Sequence, residues 1–102
     1  MKIQVHSIHF DADQKLLEFI QKKADKLDTF FDRIISGEVY LRLEKGDSNK
    51  VRNKVVEVKL NVPGTSIFVK EENGSFEAAM DEAVESLKTQ IKKYKDKLIA
   101  KS

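Results

Sequence analysis

Residues 54–62 read KVVEVKLNV, with Val56, Val58, Leu60 and Val62 alternating against Glu57, Lys59 and Asn61. A period of two sends successive side chains to opposite faces of a pleated strand, so this stretch predicts a strand with one apolar and one wet face. Residues 37–45, GEVYLRLEK, repeat the pattern: Val39, Leu41 and Leu43 alternate with Tyr40, Arg42 and Glu44. Strands of this kind leave one face to be covered by something else, and the covering elements must lie on a single side. Pro63 and Gly64 supply a turn into a short further strand, SIFVK at 66–70, and Asn73-Gly74 closes it. The intervening segment 46–54, GDSNKVRNK, is too polar for a strand and is expected to be a flexible loop. At the chain start, KIQVHSIHF places Ile3 and Val5 in one phase and Ile8 and Phe10 in the other. The change of phase predicts a strand with an irregularity near His6 and Ser7.

Two helical stripes supply the cover. Leu16, Ile20, Ala24, Leu27, Phe31 and Ile34 recur at steps of three and four behind Asp11 or Asp13 as the N-cap. Phe76, Met80, Val84, Leu87, Ile91, Tyr94 and Leu98 do the same in a helix expected from about Phe76 to Ala100. The reading is a two-layer α+β domain of order β-α-β-β-β-α, a four-stranded sheet with both helices on one face, as in a double-stranded-RNA-binding domain. With 102 residues, 40% hydrophobic content, four Gly and one Pro, residues 1–102 suit one compact unit with no room for a second domain. Cysteine is absent, which excludes disulfides and thiolate chemistry. The start of the chain alternates and does not run apolar, and no window approaches a membrane span. A soluble, cytoplasmic protein is expected.

Charge is informative only in how it is sorted, because 19 Lys+Arg nearly balance 17 Asp+Glu. With Leu16 at zero on a helix advancing about 100° per residue, Lys15, Lys22, Lys26 and Arg33 fall between about 240° and 280°, and Glu18, Asp25, Asp28 and Asp32 between about 120° and 200°. The last helix is sorted along its length. Glu77, Asp81, Glu82 and Glu85 come first, and residues 86–102 then carry six lysines against Asp96 alone. Acids at a helix start and lysines at its end complement the peptide dipoles, and lysine stems commonly border apolar stripes. That plainer account covers each residue singly. Two helices that each offer a basic edge, with Lys50, Arg52 and Lys54 in the 46–54 loop, point jointly to a phosphate-binding groove. A generic double-stranded RNA reader would place its lysines where the final helix begins. Here that start is acidic, so the far half of the helix is expected to engage the polyanion.

Three motifs, KKADKLDTFFDRI (22–34), VYLRLEK (39–45) and FEAAMDEAVESLKTQIKKYKDKL (76–98), together resemble the short form of the bacterial ribosome hibernation promoting factors, the family that includes the ribosome-associated translation inhibitor. The resemblance covers essentially the whole chain. It implies a factor that binds the small ribosomal subunit through rRNA, in the channel used by messenger and transfer RNA, and so inhibits translation in stationary phase or stress. By motif position it implies rRNA-binding roles for Lys22, Lys23, Lys26 and Arg33 on the first helix and for Lys88, Lys92, Lys93, Lys95 and Lys97 on the second. Glu77 stands where many relatives carry an aromatic residue, with Phe76 one place earlier, so no stacking role is expected there. Long-form relatives add a C-terminal dimerisation domain, which a chain stopping at Ser102 is expected to lack.

Other chemistries fare worse. His6 and His9 on a strand point to opposite faces, which favours surface or core histidines over a metal site. The ladder Glu77, Asp81, Glu85 is accounted for by helix polarity and lacks a calcium-loop pattern. No phosphate-binding glycine loop and no nucleophile-base set is present, so neither catalysis, nor a cofactor, nor a small-molecule substrate is expected. The alternative function is a protein-interaction module using the polar sheet face around Tyr40, Arg42, Glu57 and Lys59.

Overall fold

The computed structural model describes residues 2–8, 11–45 and 52–100, with side chains at 2–8, 11–44 and 54–97. The elements are β1 (Lys2–Ser7), α1 (Gln14–Phe30), β2 (Ser36–Lys45), β3 (Arg52–Val62), β4 (Thr65–Asn73) and α2 (Phe76–Ala100). The sheet order is β1-β2-β3-β4, with β1 parallel to β2 and the other pairs antiparallel. This is the two-layer α+β domain the alternation predicts. Val5, Val39, Val58 and Val69 lie opposite one another in a row across all four strands, and β-branched side chains suit such a pleated, covered surface. On that face they pack with Ile20, Leu27, Leu87 and Ile91 from the two helices into one core.

The parallel β1-β2 pair requires a crossover, which α1 provides. The Asp13 carboxylate caps it by accepting the Leu16 N–H at 2.8 Å. The helix ends at Phe30, where the chain becomes extended at Phe31 (φ −150°, ψ 111°). Phe31 and Ile34 are nonetheless buried, so the apolar stripe continues after the helix has stopped. Thr29, Phe30 and Phe31 are poor helix formers, and the Phe31 ring packs edge-on against Tyr94 with centroids 5.8 Å apart. Arg33 therefore sits in a turn and off the helix.

Three strand limits differ from expectation. β1 is regular to Ser7, and the phase changes only beyond it, where the Ile8 N–H bonds the Leu41 carbonyl at 3.0 Å; His9 and Phe10 lie outside the described residues. β3 begins at Arg52, opposite Lys45, so 52–54 are strand and not loop; the rest of the predicted loop lies outside the described residues. β4 continues to Asn73, opposite Lys54, because pairing with β3 carries its polar end. Between β3 and β4, Pro63 and Gly64 (φ 85°) form a two-residue connection, with the residue types of a type II turn.

Candidate nucleic-acid interface

The chain alternates direction so that both helices run the same way over the sheet. The contacts between them confirm it: Lys23 of α1 pairs with Asp81 of α2 at 2.7 Å, and further along Lys95 of α2 lies 5.4 Å from the Phe30 ring centre. On α1, with Leu16 at zero, Lys23 and Phe30 fall at about 340° and 320°. That puts α2 on the flank next to Lys22 and Lys26, and puts Glu18, Asp25 and Asp28 on the other flank. The basic edge of α1 thus borders the valley between the helices.

The same construction divides the lysines of α2. With Phe76 at zero, Asp81 and Lys95, which touch α1, fall at about 140° and 100°, and Lys88 and Lys92 fall at about 120° and 160°. These belong to the valley side. Lys93 and Lys97 fall at about 260° and 300°, on the flank facing β4, where they line a groove with Thr65, Ser66, Gln90 and Asp96. Of the nine predicted rRNA-binding residues, Lys22, Lys26, Lys88, Lys92 and Lys95 share the valley. Lys23 is at its acidic end, held between Asp81 and the Phe19 ring, whose centre is 5.4 Å away. Arg33 is exposed in the turn after α1. Lys93 and Lys97 occupy the opposite flank.

Lys54 does not extend this valley, and Lys50 lies outside the described residues. Lys54 lies opposite Leu43 and Asn73, at the end of the sheet where α2 begins. The other end is the Pro63-Gly64 turn, where the Tyr94 hydroxyl donates to the Pro63 carbonyl at 2.6 Å. Arg52 and Lys54 are therefore far along the sheet from Lys92 and Lys95. What the sequence did not reveal is the anchor for Lys95, whose ammonium lies 5.4 and 5.9 Å from the centres of the Phe30 and Phe31 rings. Only the FF pair at the end of the predicted helix hinted at it.

Two of the acids at the start of α2, Asp81 and Glu82, are bonded within the domain, and the helix is further tied to β4 through Ser86. Glu82 accepts from the Asn73 amide, Ser86 donates to Glu71 at 3.0 Å, and Asp81 holds Lys23. Further along, Lys88 pairs loosely with Glu85 at 3.4 Å, and Lys92, Lys93 and Lys97 make no ion pair with a described residue. Among the described residues no cluster of three or more His, Cys, Asp or Glu could hold a metal ion, and no helix is long and apolar enough to cross a membrane. His6 stacks on Tyr40 on the outer sheet face, with centroids 4.8 Å apart. Glu38 accepts the Tyr40 hydroxyl. This bond first, then desolvation and the negative charge of Glu38 and Glu57, raises the phenol above its ordinary 10.0. Stability from that bond is present below pH 10 and lost as pH climbs through the raised value.

A four-stranded sheet in β-α-β-β-β-α order, with a lysine-bordered valley between co-directional helices, defines a small two-layer α+β domain with one basic interhelical face. Residues 3–99 match the family model described as Sigma 54 modulation protein / S30EA ribosomal protein, and the chain belongs to that family. It is 33% identical over 92 residues to the ribosome hibernation promotion factor of Deinococcus radiodurans, covering 90% of this chain and 48% of that protein, so it spans about half that relative's length. It is 31% identical to the ribosome hibernation promoting factor of Escherichia coli K12, over 96% of this chain and 97% of that one. Among solved structures it is similar to a ribosomal subunit interface protein from Coxiella burnetii, with TM-score 0.83 and 25% identity over 94% of this chain and 99% of the other. The N-terminal domain of Thermus thermophilus Protein Y superposes with TM-score 0.77 and 26% identity, over 92% and 99% of the two chains.

Proposed function

We propose that this protein is a ribosome hibernation factor that lays the valley between α1 and α2 on rRNA of the small subunit and so blocks the channel for messenger and transfer RNA. The observation that carries the reading is the gathering of Lys22, Lys26, Lys88, Lys92 and Lys95 from two helices onto one valley, while Asp81, Glu82 and Glu85 of α2 are bonded within the domain. Family membership and the names of the relatives support the role. Lysines act as mobile point charges that follow backbone phosphates and do not read base edges, so binding is by RNA shape and charge. Inhibition then needs occupancy alone, in the cytoplasm where ribosomes work, and no bond is made or broken. In this reading Arg33, Lys93 and Lys97 flank the main contact, and Lys23 orients it through Asp81.

The test is co-sedimentation with small subunits of a variant carrying Lys26→Glu, Lys92→Glu and Lys95→Glu. Binding and translation inhibition should both be lost. The thermal transition should fall only modestly, since exposed substitutions usually move stability by less than about 0.5 kcal/mol each and loss of the Lys95 contact with the Phe30 and Phe31 rings adds about 0.5–1 kcal/mol. Retained co-sedimentation would refute the valley as the binding surface.

A further inference from the structure

The face of the sheet turned away from the helices carries a large aromatic ring with no ring or cation partner among the described residues. Phe68 is 56% exposed in the middle of β4, between inward-facing Ile67 and Val69. Its cross-strand neighbour on β3 is Lys59, and Lys70 follows two places on along the same face. The acids opposite both lysines are engaged elsewhere. Glu38, opposite Lys59, accepts the Tyr40 hydroxyl. Glu57, opposite Lys70, is held by Arg42 at 2.7 Å. Neither lysine makes an ion pair with a described residue. The other aromatic group on this face is already satisfied, His6 being stacked on Tyr40.

An open ring between two uncommitted cations on a β-sheet has the chemistry of a stacking platform for an unpaired base, with the ammonium groups meeting the flanking phosphates. We propose that Phe68, Lys59 and Lys70 form a second RNA contact that takes single-stranded nucleic acid on the outer sheet face. An acidic peptide would use the two charges but gain little from the ring face. The proposal does not depend on the helix valley, which lies on the other side of the sheet.

The experiment is fluorescence anisotropy of a labelled oligouridylate of about eight nucleotides with the full chain. Phe68→Ala should weaken binding roughly five- to a hundredfold, the range of one stacked base. Phe68→Trp should restore it and Phe68→Leu should not. Lys59→Glu with Lys70→Glu should weaken binding and lower the slope of log affinity against log salt by about 1.4, two single-strand phosphates. Ring exposure makes these variants foldable, and circular dichroism checks it. The valley variant with Lys26, Lys92 and Lys95 reversed should keep most of its oligonucleotide binding while losing small subunits, which separates the two surfaces. Wild-type affinity in Phe68→Ala overturns the proposal, as does loss of the oligonucleotide in the valley variant alone. Equal displacement by oligoglutamate, with no effect of Phe68→Leu, would assign the face to an acidic peptide instead.

Discussion

The two halves of α2 have opposite relations to their surroundings. In the first, Phe76, Ala79, Met80, Ala83 and Val84 are buried, and two of its charges, Glu82 and Asp81, are spent within the domain on Asn73 and Lys23. In the second, Leu87 and Ile91 still reach the core, but Lys92, Lys93 and Lys97 find no described acid. One continuous helix thus packs along its whole length, while the lysines Lys92, Lys93 and Lys97 of its second half stay unpaired with any described acid. Under the proposed function it is unpaired positive charge, and not charge as such, that would mark the side turned toward RNA.

The largest effect expected from this contrast is on salt dependence. If six to ten phosphates are neutralised, affinity for small subunits should fall by roughly 10³ to 10⁵ between about 50 and 200 mM salt, measured by co-sedimentation across a salt series. A flat response would remove the distinction between the halves. Next, Ile91→Ala should cost about 2–5 kcal/mol in urea unfolding, because Ile91 is fully buried, whereas neighbouring Lys92→Ala should stay within about 0.5 kcal/mol. A large cost at Lys92 would mean that its charge is used inside the fold after all. Tyr94→Phe removes the bond that ties the second half to Pro63 and should cost about 0.5–1.5 kcal/mol, read from the same transition. Asp81→Ala should cost less than about 1 kcal/mol, as for a surface pair. That substitution frees Lys23 and should strengthen binding to small subunits, which sharpens the claim that the first half withholds its charge.

Most of the fold was legible because alternation at 39–44 and 56–62 leaves only one face to cover. Where reading failed, long-range packing was the cause. The stripe through Phe31 and Ile34 looked helical because burial continues past the last turn on extended backbone, and this carried Arg33 onto the wrong element. The end of β4 was missed because register with β3 holds polar residues in a strand that their own preferences disfavour. The cations of the valley were visible as helix edges. The division of the second set into Lys88, Lys92 and Lys95 against Lys93 and Lys97 was not, since which flank meets α1 depends on Asp81 and Phe30. Phe68 was hidden by its neighbours, since Ile67, Phe68 and Val69 form an unbroken apolar run with no period to separate outside from inside.

The shared direction of α1 and α2 has a consequence for the charge at one end of the molecule. Each helix presents carbonyl oxygens at its final turn, equivalent to about half an electron of negative charge, and both terminate at the same end of the molecule. Left bare, that end would push phosphate away. Among the described residues Lys97 is the basic residue in the last turn of α2, and α1 has none in its last turn, so the two ends are offset unequally, and neutralising Lys97 would leave both of them negative.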